Sequence, residues 1–215
     1  MKIACLHTTH SNVAVFNAAA EDLGLAADAL LHCVRPDLLA AVEQARTLTE
    51  AIRRETVALI LDLSEEVDAV LVTCSTLGPA ADAVGDITGV PVLRVDHALA
   101  EQALVEGRHV LVLCTVATTL APTRALFSTI AERRGASFET RLVPGAWTLF
   151  KTGDMMGYFR CIADATRDAI AEGFTSVVLA QASMAGAASL LESHHRPLTS
   201  PAAALAEAVR LLRTH

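Results

Sequence analysis

The sequence is poor in aromatic residues and has no cluster of basic side chains, and both features narrow the class of protein. Only 4% of the 215 residues are aromatic, whereas 53% are hydrophobic, so Ala, Val and Leu must supply most of the core. This composition is typical of α/β proteins and argues against disorder. The formal net charge is −7. Because phosphate neutralisation requires basic residues, we do not expect the protein to bind nucleic acid.

Long apolar segments and paired cysteines are also missing. No run approaches the roughly 20 apolar residues of a membrane span, and the N-terminal apolar run is too short for a signal-peptide core. The five cysteines are far apart, without a CxxC pair or a zinc-knuckle spacing. We therefore expect a cytoplasmic protein without a membrane segment, a disulfide framework or a metal site.

Short β-type runs recur along the chain, and the strongest of them end in small polar residues. Helical patterns separate the runs, which is typical of parallel strands in an α/β fold. Ser11 is expected to cap the first helix, which should stop at Gly24, and Pro36 to open a helix that continues into 49–55. The strong runs lie at 2–9, 69–76, 109–119 and 176–183, and the weaker ones at 29–34, 90–95, 137–143 and 196–200.

The chain resembles itself when it is shifted by 107 positions (181 − 74). The shift places VLVTCSTLGPAA (70–81) on VVLAQASMAGAA (177–188) and IACLHT (3–8) on VLVLCT (110–115). Chance is a rival explanation for each short match, but several matches in one register favour a duplicated α/β half. We predict two flavodoxin-like halves related by a pseudo-twofold axis, each a mainly parallel, roughly four-stranded sheet flanked by helices. Their predicted bounds are 1–97 with 204–215, and 98–203.

Polar residues follow the predicted strands, at the sheet edge where parallel open sheets bind ligands. We expect these loops to meet in one cleft between the two halves. No GxGxxG or GxxxxGK[ST] motif follows a strand, so the sequence does not indicate a nucleotide. The strand-end segments are 7–9, 74–76, 115–119 and 181–183.

The strand end VTCST (72–76) and the loop CTVATTLAPTRALF (114–127) resemble the aspartate/glutamate/hydantoin racemase superfamily, which includes maleate isomerases and arylmalonate decarboxylases. The resemblance covers essentially the full length. It implies chemistry on a small carboxylate without cofactor or metal. In such racemases, one cysteine removes the proton on the α-carbon and a second cysteine returns a proton on the opposite face.

The second cysteine of that mechanism is missing here. The repeat pairs Cys74 with Gln181, and a carboxamide cannot exchange a proton as a thiolate does. By resemblance, one-thiol chemistry remains: proton abstraction and return on one face, decarboxylation followed by protonation, or attack on an activated double bond. Arylmalonate decarboxylases also have a single thiol, although it lies in their second half.

Cys74 is expected at the start of a helix running through Leu77 to Val84, where the helix dipole would favour a thiolate. The alternative is a small buried residue. His7 stands where many of the racemases have Asp or Ser, and it is either a base or a structural histidine. Asn12 either contacts the ligand or caps a helix. Cys114, which the repeat pairs with His7, lies at an apolar strand end and is the weaker candidate for a second thiol.

The leading prediction is a racemase- or isomerase-type enzyme that acts at the carbon α to a carboxylate, with Cys74 as acid and base. Gln181 is expected to orient the substrate as a hydrogen-bond donor, and His7 completes the catalytic set. The alternatives are a malonate-type decarboxylase with Cys74 as proton donor, and a carboxylate-binding protein that has lost turnover. The apolar excess is compatible with a homo-oligomer. The predicted substrate-binding residues are Thr8, Asn12, Ser75, Thr76, Thr115, Thr118, Thr119, Ala182 and Ser183.

Overall fold

The structure of the chain is a computed structural model that describes residues 1–84, 87–105 and 109–214. Contacts divide the chain into two units, Met1–Ala98 with the chain from Pro201 onwards, and Leu99–Ser200. The strands are β1 (Ile3–His7), β2 (Leu30–Val34), β3 (Ala69–Val72), β4 (Val92–Arg94), β5 (His109–Cys114), β6 (Ser137–Leu142), β7 (Ser176–Leu179) and β8 (Leu198–Thr199). The helices are α1 (Ser11–Asp22), α2 (Pro36–Ala45), α3 (Glu50–Ser64), α4 (Gly78–Ala81), α5 (Val95–Ala103), α6 (Ala117–Arg134), α7 (Ala146–Lys151), α8 (Met155–Ala171) and α9 (Ser200–Thr214).

The first unit contains a four-stranded sheet in the order β2-β1-β3-β4, and its neighbouring strands are parallel. Strands β1 and β3 are buried at every position. Continuous burial without alternation is expected of central strands in a parallel sheet, because helices cover both of its faces. The carboxyl ends of these two central strands lead directly into the segments at His7 and Cys74.

The second unit repeats this topology with a sheet in the order β6-β5-β7-β8, again with parallel neighbours. Alternate residues of β5 enter two different core clusters, with Val110 and Val112 in one and Leu111 and Leu113 in the other. Each cluster therefore covers one face of the sheet. Two parallel four-stranded sheets flanked by helices confirm the predicted fold class.

The helix boundaries correct three details of the sequence analysis. Helix α1 ends at Asp22, two residues before the predicted stop at Gly24, and this glycine has the left-handed φ of 69° that follows many helix ends. Ser11 is not its cap, however, because Ser11 is the first helical residue and its hydroxyl donates to Thr9 Oγ1. The predicted long helix after Pro36 is two helices, because the chain turns at Arg46 with φ 58° before α3 begins. In the described part of the chain, no helix combines the length and apolarity that crossing a bilayer requires.

Candidate active site

Cys74 lies just after β3, in a tight turn that leads into α4. The Leu77 N–H donates to the Cys74 carbonyl at 3.0 Å, and Ala80 N–H donates to the Leu77 carbonyl at 2.9 Å. The predicted helix from Leu77 to Val84 is therefore shortened to α4, and i to i+3 bonds form turns on either side of it. Helix α4 has only four residues. Its dipole is therefore small, since a macrodipole requires many aligned peptide units.

The Cys74 sulfur is almost enclosed, with 9% of the residue exposed. It accepts hydrogen bonds from the hydroxyls of Thr8 and Thr76, from the Thr76 backbone N–H and from the Leu77 backbone N–H, which it shares with the Cys74 carbonyl. These bonds lower the pKa of the thiol, but burial raises it more, so the net shift is upwards. Cys74 is therefore a neutral thiol near neutral pH, and its pKa shifts in the direction opposite to the one expected because desolvation exceeds the effect of the donors.

The other predicted binding residues of the first unit are buried with Cys74. Thr8, Asn12, Ser75 and Thr76 are each at most 5% exposed. Among the residues that the structure describes, Asn12 Oδ1 is one of the few buried side-chain atoms without a hydrogen-bond partner. A buried acceptor left unpaired costs about 1–3 kcal/mol. Asn12 is thus a candidate contact for an N–H or O–H group of a ligand.

His7 is fully buried and both of its ring nitrogens have partners. Nδ1 lies 2.8 Å from Thr73 Oγ1, and Nε2 lies 2.9 Å from His32 Nδ1. The ring also packs against Phe16, with centroids 5.2 Å apart. Burial and the neighbouring His32 lower the pKa of His7 to about 3. These contacts favour the structural alternative for His7 over a role as a base.

In the second unit, Gln181 joins the ends of β7 and β5. Its Oε1 accepts from Thr115 N at 2.6 Å, from Thr115 Oγ1 at 3.0 Å and from Val116 N at 3.3 Å. In these bonds the carboxamide acts through its carbonyl oxygen as an acceptor and not through its NH₂ group as the predicted donor. Gln181 therefore holds the hydroxyl-bearing loop after β5 in place.

Tyr158 extends this network and was missed by the sequence analysis. Its hydroxyl lies 3.2 Å from Thr115 Oγ1 and 3.1 Å from Ser183 Oγ. Thr115 donates its only hydroxyl proton to Gln181, so Tyr158 must donate to Thr115 and Ser183 must donate to Tyr158. The Ser183 hydroxyl proton is therefore already used in a hydrogen bond within the second unit. One feature of the sequence could have indicated this role: Tyr158 is the only tyrosine of the chain. A buried tyrosine hydroxyl needs a polar partner.

The remaining predicted residues surround this network. Thr118 and Thr119 lie in the first turn of α6, and the Thr119 N–H donates to the Val116 carbonyl at 3.0 Å. In the described residues, the buried Thr118 Oγ1 has no partner. Ala182 is buried and begins a 3₁₀ segment, Ala182–Leu190. Cys114 is fully buried, and burial raises the pKa of its thiol to about 12, which argues against a second catalytic thiol there.

These strand-end residues define a class of protein: parallel α/β units that carry their polar groups on the loops after the strands. The model of the family described as Asp/Glu/Hydantoin racemase matches residues 6–209. The chain belongs to this family. Family membership supports an enzyme of racemase or isomerase type.

Solved structures show the same fold. An allantoin racemase from Klebsiella pneumoniae is 17% identical with a TM-score of 0.70, and the match covers 100% of this chain and 88% of that one. An aspartate racemase from Picrophilus torridus is 12% identical with a TM-score of 0.71, covering 99% and 95%. A glutamate racemase from Bacillus anthracis is 14% identical with a TM-score of 0.68, covering 99% and 82%. No curated protein sequence matches the chain.

Proposed function

We propose that the chain is a cofactor-independent enzyme that moves a proton at the carbon α to a carboxylate or a similar carbonyl group, with Cys74 as the acid and base. The observation that carries the proposal is the ring of donors around the Cys74 sulfur, formed by two hydroxyls and two backbone N–H groups. Hydrogen bonds of this kind stabilise a thiolate once it forms and can stabilise negative charge on a bound substrate.

The proposed substrate carries a nitrogen on the carbon α to its carboxylate or carbonyl group. The similar structures are racemases of glutamate, aspartate and allantoin, and each of these names denotes a compound with nitrogen at the stereocentre. The unpaired Asn12 Oδ1 supports this choice, because it can accept a hydrogen bond from a substrate N–H. A small α-amino or α-ureido compound is therefore the class to test first.

Gln181 has a positioning role in this proposal. It cannot relay a proton, and its carbonyl oxygen is bonded to Thr115 and Val116. Racemisation by two opposed thiols is then not available to this chain. Cys74 must remove and return the proton itself, which makes exchange of the α-proton with solvent the most direct signature of the reaction.

The test is proton exchange in deuterium oxide, followed by NMR for a panel of aspartate, glutamate, allantoin and 5-substituted hydantoins. The wild type should exchange the α-proton of at least one compound, and Cys74→Ser should lose that activity. Cys33→Ser is the matched control, because Cys33 is a partly exposed thiol of the same unit outside this donor ring. Exchange that persists in Cys74→Ser would contradict the assignment of Cys74.

A second candidate is a decarboxylase of malonate-type diacids, and the neutral state of the Cys74 thiol favours it. A protonated thiol is ready to donate to a carbanion, whereas it must first lose its proton to act as a base. Stoichiometric release of carbon dioxide from an alkylmalonate would select this candidate. If the wild type shows neither activity and Gln181→Cys gains racemisation, the chain is a carboxylate-binding protein that has lost turnover.

A further inference from the structure

A cluster of potential metal ligands lies on one face of the first sheet. Cys5 and His7 are alternate residues of β1, and Cys5 pairs in register with His32 of β2. Side chains two apart on a strand point to the same face, as do those of paired residues on neighbouring strands. The ligand atoms of the three residues all lie within 4.8 Å of one another.

The hydrogen bonds of His7 determine which of its nitrogens carries the proton. Thr73 Oγ1 donates to the Leu6 carbonyl at 3.0 Å, which uses the only proton of that hydroxyl. Thr73 Oγ1 can therefore only accept from His7 Nδ1, and His7 carries its proton on Nδ1. The lone pair of the neutral ring is then on Nε2, which points towards His32.

His32 shows the matching arrangement. Its Nε2 lies 2.9 Å from Asn17 Oδ1, an acceptor, so Nε2 is the protonated nitrogen of this ring. The lone pair of neutral His32 is then on Nδ1, which lies 2.9 Å from His7 Nε2. Two lone pairs that face each other at this separation repel unless a metal ion or a proton binds to them. Each outer N–H is oriented by an oxygen, as is usual for histidines that bind metals.

We propose that Cys5 Sγ, His7 Nε2 and His32 Nδ1 bind a thiophilic divalent transition-metal ion, with Zn²⁺ as the best match. Thiolate and imidazole are both ligands that zinc binds, and three protein ligands leave one position of a tetrahedral site for water. Cys5 and His7 are fully buried, whereas His32 is partly exposed and gives the ion a route from solvent. On binding, the Cys5 thiol forms a sulfur–metal bond and releases its proton to solvent.

The ion has a structural role that goes beyond the proposed function, since Cys74 chemistry does not use it. It joins β1 to β2, and through His7 and Thr73 it supports the strand end immediately before Cys74. The rival arrangement has the Asn17 amide turned, so that Nδ2 donates to His32 Nε2 and His32 Nδ1–H donates to His7. That arrangement satisfies both rings through hydrogen bonds alone and binds no metal.

The test uses the full chain after chelator treatment, titrated with Co²⁺ as the probe. We expect one equivalent to bind with a thiolate-to-cobalt charge-transfer band, Zn²⁺ to displace it, and Zn²⁺ to raise the melting temperature. Cys5→Ser should abolish the band. His32→Gln, at a partly exposed position, should weaken binding by more than about tenfold. Circular dichroism verifies that both variants fold.

The matched control is the double variant His194→Ala with His195→Ala, which removes a second, exposed cluster formed with Glu192. It should leave the charge-transfer band unchanged. The proposal is overturned if no stoichiometric cobalt complex forms, if the complex lacks the thiolate band, or if Cys5→Ser retains it. Any of these results selects the hydrogen-bonded arrangement.

Discussion

Substitution of Gln181 by alanine tests whether this side chain holds the loop after β5. The change removes the acceptor of three hydrogen bonds, from Thr115 N, Thr115 Oγ1 and Val116 N. A net contribution of about 0.5–1.5 kcal/mol for each bond predicts a loss of about 1.5–4.5 kcal/mol in the free energy of unfolding. Water entering the space left by the side chain brings the loss towards the lower end of this range.

The assay is urea unfolding followed by the fluorescence of Trp147, the only tryptophan of the chain, which reports on the second unit. Gln102→Ala is the control, because Gln102 is exposed on α5 in the same unit, and it should change stability by less than about 0.5 kcal/mol. Hydrogen exchange should also speed up at the Thr115 and Val116 amides in the Gln181 variant. If Gln181→Ala matches the control in both measurements, the loop does not depend on Gln181.

Three further predictions concern ionisation and buried charge. Burial raises the pKa of Cys74, so the pH profile of kcat/KM distinguishes its two possible roles. If Cys74 starts as the base, kcat/KM should rise with pH and level off only above the ordinary thiol pKa. If Cys74 is the proton donor, kcat/KM should fall through the same pH region. Arg94 forms a buried ion pair with Asp96 at 2.9 Å, so Arg94→Met should lower the free energy of unfolding in urea by about 3–5 kcal/mol. Arg54 is exposed, so Arg54→Met is the control and should change this free energy little. The pKa of Cys114 is raised from 9.0 to about 12. The contribution of its neutral thiol to the free energy of unfolding is therefore complete below pH 9 and is lost as pH rises towards 12. The loss amounts to about 4 kcal/mol, and Cys114→Ala should flatten the alkaline part of the stability curve by that amount; an unchanged alkaline slope would contradict the burial of this thiol.

Much of the fold was predictable because burial and turn chemistry are local patterns. Predicted strand positions at 69–76 and 176–183 contain the observed β3 and β7, since apolar β-type runs and small polar strand ends are visible in the sequence itself. The repeat also predicted that the two sheets share one topology. The short length of the helix after Cys74 was not predictable in the same way, because the turns on either side of it are not encoded in an apolar period.

The features of the candidate site were likewise only partly predictable from the sequence. The repeat alone paired Cys74 with Gln181, and the residue types alone excluded a second thiol at that position. The direction of the Cys74 pKa shift could not be read from the sequence, because it depends on how completely the folded chain excludes water from the sulfur. Tyr158 entered the network for the same reason, since it lies 43 residues from Thr115 along the chain.

The sequence by itself determined the class of fold, the duplicated plan and the presence of a single thiol in the pair formed by positions 74 and 181, because these depend on residue type and period. Only the tertiary structure decided which polar groups meet. It placed His32 beside His7, directed the Gln181 carbonyl oxygen to Thr115, and buried Cys74 among donors. The physical reason is that hydrogen-bond direction and desolvation depend on contacts between residues far apart in the chain, and these determine the protonation state of each group.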